Sequence, residues 1–72
     1  MPDVQDVVDR AAHEWLGLHG VVQIWDEVRD GETVVVFGVS DVDEAMRNLP
    51  SRIEGFRVVL EPRERPIPYA PT

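Results

Sequence analysis

The sequence contains no cysteine and no lysine, and none of its apolar runs approaches the ~20 residues that a membrane-spanning helix needs. Without cysteine, the chain has no disulfide, no thiolate metal site and no thiol chemistry. Its fourteen acidic and seven basic residues give a net charge of −7, which repels nucleic acids and anionic membranes. We therefore expect neither as a partner. Because the N-terminus is acidic where a secretory signal would be basic, we expect a cytoplasmic location.

The acidic residues are spread along the whole chain instead of forming one tail, and all basic residues are arginine. This composition resembles that of halophile proteins of unknown function, whose negative surfaces stay soluble at high salt, where the Debye length is a few ångströms. A GC-rich coding sequence would also favour arginine over lysine, without any adaptation to salt. The two explanations differ in how the stability of the fold responds to salt.

If the acidity is an adaptation to salt, the melting temperature measured in dilute buffer should rise by many degrees when molar KCl is added. The physical reason is that salt screens the repulsion among the carboxylates. Circular dichroism during heating, at a series of KCl concentrations, measures this shift. A melting temperature that stays constant across the series would contradict the halophilic interpretation.

The first predicted element is an amphipathic helix over residues 3–16. Apolar residues recur from Val4 to Leu16 at the i, i+3, i+4, i+7 spacing of one helix face. Asp3 is a suitable N-cap, because its side chain can accept a hydrogen bond from the first turn. Gly17 can adopt the left-handed conformation that commonly ends a helix.

A β-hairpin is predicted next, because two β-rich runs, 20–29 and 32–39, are separated by Asp30-Gly31, a sequence favoured in type I′ turns. Counting back from the turn gives two sides. The helix-facing side has Val22, Ile24, Asp26, Val28, Thr33, Val35, Phe37 and Val39. The outer side has Val21, Gln23, Trp25, Glu27, Arg29, Glu32, Val34, Val36 and Gly38.

The rest of the chain predicts a second helix over residues 41–48, a third strand over 56–61 with alternate residues from Phe56 facing the core, and a proline-rich extended tail over 62–72. Residues 1–61 would form a single α+β domain, a two-layer αββαβ sandwich with two helices on one face of a three-stranded sheet. The third strand can lie parallel beside the second or antiparallel beside the first. We expect the antiparallel arrangement, order 2-1-3, because a parallel pair in so small a sheet would lack cover on both faces.

Four segments consist mostly of turn residues and valines: 20–22 (Gly-Val-Val), 30–31 (Asp-Gly), 34–36 (Val-Val-Val) and 49–58 (Leu-Pro-Ser-Arg-Ile-Glu-Gly-Phe-Arg-Val). Between residues 20 and 58, a stretch of about half of the chain, they resemble a short module found beside trypsin-like and subtilisin-like peptidase domains in prokaryotes. The resemblance implies an accessory or inhibitory contact with a peptidase. This chain departs from the pattern, since its 72 residues contain no peptidase domain.

Two features invite a chemical interpretation, and neither is a complete site. His13, Glu14 and His19 match only part of the metalloprotease pattern H-E-x-x-H, because the second histidine comes at i+6 instead of i+4, beyond the expected helix end at Gly17. We interpret the two histidines as solvent-facing residues. Asp26 faces the helices, but no second titratable group is placed to act with it, and a bulge or a register shift would return it to solvent. The sequence therefore predicts no enzyme activity, no cofactor and no metal site.

The outer sheet face is the candidate binding surface. Apolar patches rimmed by charges often mark association surfaces, and tryptophan and arginine are enriched among binding hot spots. The candidate residues are Val21, Trp25, Val34, Val36, Arg57 and Val59. We expect a homodimer or a docked protein partner on this face. In the alternatives, Ile67 and Tyr69 of the tail cover it, or the chain is a peptidase-associated accessory or inhibitor module.

Overall fold

The structure, a computed structural model, describes residues 3–63. Its elements are α1 (Val4–Trp15), β1 (Val21–Arg29), β2 (Glu32–Val39), α2 (Val42–Asn48), β3 (Arg52–Ile53) and β4 (Phe56–Pro62). The strands form one mixed sheet in the order β1-β2-β4-β3. The α+β class is confirmed, whereas the sheet has four strands where three were predicted.

Both helices begin at an aspartate N-cap. The Asp3 carboxylate accepts from the backbone N–H of Gln5 at 2.9 Å, and the Asp41 carboxylate accepts from the backbone N–H of Glu44 at 3.1 Å. Each cap satisfies an N–H of the first turn that has no partner within its helix. After α1, Gly17 has a φ of 86°, the left-handed conformation predicted for it. The observed helix bounds lie within one residue of the predicted ones.

The β1–β2 hairpin has the predicted turn and, along most of its length, the predicted register. Asp30 and Gly31 have φ values of 52° and 79°, and a type I′ turn requires positive φ at both positions. Ile24 lies opposite Phe37, as counting from the turn predicts. The hairpin signal in the sequence therefore correctly assigned the two sides of the ribbon near the turn.

A β-bulge between Val21 and Gln23 changes which residues at the start of β1 face the helices. It pairs Val21 with Val39, whereas we expected Val22 opposite Val39. Since side chains alternate along a strand, one extra residue moves those before it to the other side of the sheet. Val21 consequently lies in the core, 2% exposed, instead of on the outer face.

The central strand is β2, with antiparallel β1 on one side and parallel β4 on the other. This contradicts the predicted order 2-1-3. The expectation that a parallel pair would lack cover on both faces is wrong. Four consecutive residues of β2, whose side chains alternate between the two faces, are 0% exposed: Val34, Val35, Val36 and Phe37. Parallel pairing is stable here because β2 is covered on both faces. Helix α2 connects the two parallel strands, as such crossovers usually require.

The fourth strand, β3, was missed in the sequence. It has two residues, which pair with the start of β4 across a turn at Glu54-Gly55. Both turn residues have positive φ, 49° and 89°. Arg10 of α1 holds this turn in place, since its guanidinium donates two hydrogen bonds to the Glu54 carboxylate at 2.9 and 2.7 Å.

The sheet continues into the segment predicted as a tail. Pro62 belongs to β4 and lies opposite Val39, and the backbone N–H of Arg63 donates to the Val39 carbonyl at 2.8 Å. Because successive N–H groups point to opposite sides of a strand, the Pro62 nitrogen points away from β2, and its missing hydrogen breaks no bond to that strand. Residues 64–72, including Ile67 and Tyr69, lie outside the described residues.

The core lies between the two helices and one side of the sheet. Its buried members are no more than 2% exposed: Val7, Ala11, Val21, Val35, Phe37, Val39 and Ala45. Phe56, Val58 and Leu60 of β4 pack against this cluster, as their alternation predicted. Residues from both helices and all three longer strands thus meet on one side of the sheet. The other side is the outer face on which the candidate binding residues were predicted.

Candidate binding surface on the outer sheet face

The side chains of the outer face form rows across β1, β2 and β4. The registers align Trp25, Val36 and Val59 in one row, and Val34 and Arg57 in the next row toward the hairpin turn. Five of the six candidate residues therefore lie together, and Val21 does not. Val59 joins the group through β2, whereas we expected it to join through β1.

The outer face is not the open apolar patch that the sequence predicted. Val34 and Val36 of the central strand are 0% exposed, although α1 and α2 both pack on the opposite side of the sheet. Trp25 and Val59 on the flanking strands are half-buried, and Arg57 is exposed. Arg29 of β1 and Glu61 of β4 are hydrogen-bonded to each other at 2.9 Å across the central strand, so their side chains lie over this side of β2. The accessible part of the face is consequently aromatic and charged.

Five side chains on this face form a closed cycle of contacts, which we call the polar ring: Trp25, Glu27, Arg29, Glu61 and Arg63. The indole N–H of Trp25 donates to Glu27 at 3.1 Å, and Arg29 donates to Glu27 at 2.7 Å. Arg29 also donates to Glu61 at 2.9 Å, and Glu61 lies 3.8 Å from Arg63 Nη2. The Arg63 guanidinium completes the polar ring by lying over the Trp25 indole. Its Cζ is 4.9 Å from the centroid of the indole, which is a cation–π distance.

Gly38 makes room for the polar ring. A Cβ at this position would lie 2.8 Å from Arg63 Cγ and 3.0 Å from Trp25 Cζ3, both closer than normal packing allows. The glycine is therefore required by the space that two neighbouring side chains occupy. The sequence showed an isolated glycine in a strand, which is a signal of close approach, but it did not show which side chains approach.

Hydrogen bonds within the polar ring change the pKa of two of its members. The pKa of Glu27 is lowered, first by the hydrogen bond from Trp25 and then by that from Arg29. The pKa of Arg29 is raised, chiefly by its hydrogen bond to Glu27. In each case the hydrogen bonds stabilise the charged form. Both groups therefore stay ionised over a wider pH range than they would in the unfolded chain.

The Glu27→Gln variant should lose less stability in acid than the wild-type protein. The pKa of Glu27 is lower in the folded chain than in the unfolded chain, so the ionised Glu27 carboxylate stabilises the fold. This stabilisation is fully present above the pKa that Glu27 has in the unfolded chain, and it is lost as the pH falls through the pKa that Glu27 has in the folded chain. Urea unfolding at a series of pH values from neutral to acid measures the difference, with Glu14→Gln, an exposed position on α1, as the matched control. Equal acid sensitivity in Glu27→Gln and the wild type would contradict the effect.

Charge is distributed unequally between the two sides of the molecule. On β1, β2 and β4, the outer face has three carboxylates and three arginines: Glu27, Glu32, Glu61, Arg29, Arg57 and Arg63. Arg52 of β3 adds one positive charge at the margin. Within residues 3–63, the other ten carboxylates and the arginines Arg10 and Arg47 lie on the helices, in caps and turns, or on the helix-facing side of β1. The negative charge of the chain is therefore concentrated away from the outer face.

Strand β1, at one edge of the four-stranded sheet, has features that oppose pairing with another strand. Asp26 is on the helix-facing side, as predicted, and its carboxylate accepts from the Gln5 side chain at 2.7 Å. An inward-pointing charge and a β-bulge are two devices that prevent edge-to-edge association in natural sheets. β1 has both. The outer face is thus a better candidate for docking than this edge.

The histidines lie apart from the outer face. His13 is exposed on α1, and His19 follows the helix with a φ of 51°, its ring centroid 6.3 Å from that of Trp15. In the part of the chain that the structure describes, no three His, Cys, Asp or Glu side chains are grouped closely enough to hold a metal ion. Neither α1 nor α2 has the length and apolar character that crossing a membrane requires.

Comparison of the chain with protein-family models, with curated proteins and with solved structures finds no match. The resemblance to a peptidase-associated module therefore stays a prediction. Function has to be argued from the chemistry of the outer face.

Proposed function

We propose that this protein is a non-enzymatic protein-interaction module that docks a protein, either a second copy of itself or another chain, on the outer sheet face. The polar ring around Trp25 carries this proposal. It presents a half-buried tryptophan and two arginines on the side of the sheet opposite α1 and α2, and these residue types are enriched among binding hot spots.

The polar ring also lowers two costs of binding. Its contacts restrict the rotamers of five long side chains before a partner arrives, so less conformational entropy is lost on docking. Its carboxylates and guanidiniums are already paired with each other. A partner that covers paired charges pays a smaller desolvation penalty than one that covers isolated charges.

The titration of the ring supports binding over catalysis. A general acid or base works best with a pKa near the operating pH. In the ring the pKa of Glu27 is lowered and that of Arg29 is raised, so both move away from neutrality. The ring therefore holds fixed charges, which suit recognition of a partner.

The Trp25→Glu variant should keep its fold and lose docking, because it replaces the central aromatic group of the face with a charge. Met46→Glu is the matched control, since Met46 is 67% exposed and lies on α2. Each variant and the wild type would be immobilised and exposed to free copies of the chain and to an extract of the source cells. We expect the same bound protein on the wild type and Met46→Glu, and its loss on Trp25→Glu.

Circular dichroism checks that both variants remain folded. If folded Trp25→Glu binds the same protein as strongly as the wild type does, the outer face is not the docking surface and the proposed function is wrong.

A further inference from the structure

We infer that the protein docked on the outer face is a second copy of this chain, packed face to face about a two-fold axis. This inference rests on the proposed function and names its partner. In such a dimer the same patch is used on both subunits, so the patch must complement itself. The outer face meets this condition in its charges and in the half-buried Trp25 and Val59, which lie in one row on either side of β2.

The balance of charge on the face is the first argument. Three carboxylates and three arginines alternate on its three longer strands, whereas a face adapted to a strongly acidic or basic partner would have an excess of one sign. In a chain with a net charge of −7, a nearly neutral face is the side on which two copies approach with the least repulsion. Two helical sides would place carboxylates against carboxylates.

The register of the face is the second argument, because it makes the rows self-complementary. If the two-fold axis lies between the two faces and runs parallel to β2, β1 of one copy faces β4 of the other. Trp25 then lies opposite the partner's Val59, and Glu27 lies opposite the partner's Arg57. If the axis instead runs perpendicular to the strands, along the row of Trp25, each strand faces the same strand of the partner. Arg57 and Glu61 of β4 lie on opposite sides of that row, so Arg57 lies opposite the partner's Glu61. Both arrangements pair opposite charges and place the half-buried side chains of Trp25 and Val59 near the centre.

The size of the face sets the expected strength of association. With strands about 4.8 Å apart and outward positions about 6.7 Å apart, the face covers roughly 400 Å² per protomer. A standard stable interface buries about 800 Å² per partner. We therefore expect a dimer with a dissociation constant in the micromolar range or weaker.

Sedimentation equilibrium at protein concentrations from about 10 μM to about 1 mM tests this inference. The wild-type mass should rise from 8.2 kDa toward twice that value. Arg57→Glu should stay monomeric, since it places a carboxylate opposite the partner's Glu27 or Glu61. Arg47→Glu, with the same change of charge on an exposed residue of α2, should dimerise like the wild type. Because Arg57 is exposed and makes one surface ion pair, to Glu32, its replacement should leave the fold intact.

Three results would overturn the inference. If the wild type stays at 8.2 kDa while a different protein binds in a Trp25-dependent way, only the identity of the partner is wrong. If the wild type is monomeric but Ile67→Ser/Tyr69→Ser is dimeric, the occupant of the face is the chain's own tail. If the wild type, Arg57→Glu and Trp25→Glu are equally dimeric, the interface lies elsewhere, and the proposed function fails with the inference.

Discussion

Replacing Phe37 with alanine should lower the free energy of unfolding by about 3–5 kcal/mol, the range for loss of a buried aromatic side chain. Phe37 is the largest of the fully buried side chains. It lies on central strand β2, between Ile24 of β1 and Leu60 of β4. At roughly 0.05–0.15 kcal/mol per residue, the whole domain is stabilised by about 4–11 kcal/mol. One substitution should thus remove a large part of the total.

Urea unfolding followed by circular dichroism measures this loss. Val28→Ala is the control, because Val28 belongs to the same hairpin and is 70% exposed. Its unfolding curve should lie close to that of the wild type. If Phe37→Ala were destabilised no more than Val28→Ala, the core would not be centred on β2.

Replacing Val36 with glutamate should prevent folding, although Val36 lies on the outer face. Its side chain is 0% exposed, so the new carboxylate would be buried without an opposite charge to pair with. Burying an unpaired carboxylate destabilises the folded state by several kcal/mol. Trp25 in the same row is half-buried at the edge strand, and Trp25→Glu should fold. The two substitutions introduce the same charge at neighbouring positions, but only Val36→Glu should prevent folding.

One-dimensional NMR spectra distinguish the two variants, because a folded chain shows dispersed methyl and amide signals. Val36→Thr, which keeps the β-branched shape without a charge, is the matched control and should remain folded. A dispersed spectrum for Val36→Glu would mean that the outer side of β2 is open to solvent, as the sequence alone had suggested.

The helices and the hairpin could be predicted because their signals are local. Asp3 and Gly17 bound α1, and Asp30-Gly31 sets the turn and hence the register near it. The sequence also contained an unused signal for the strand order. Residues 34–37 are four consecutive apolar residues, as expected of a central strand that is buried on both faces. β4 alternates instead, and both facts favour β2 in the centre of the sheet.

The bulge and the polar ring could not be predicted, because both depend on contacts between distant parts of the chain. Val21 and Val22 are identical in type, so hydrophobicity cannot decide which of them faces the core. Arg63 reaches Trp25 only because β4 lies beside β2 and because Gly38 has no side chain. A register counted from the sequence with the predicted strand order therefore does not place Arg63 near Trp25.

Intermolecular NOEs in a mixture of isotope-labelled and unlabelled chains test most directly whether the outer face joins two copies. The sample would be concentrated enough to contain a substantial fraction of dimer. We predict NOEs between protons of the Trp25 indole or the Val59 methyl groups and protons of the other copy's outer face. Intermolecular NOEs to Met46 and Leu16 on the helical side, with none to Trp25 or Val59, would contradict the account.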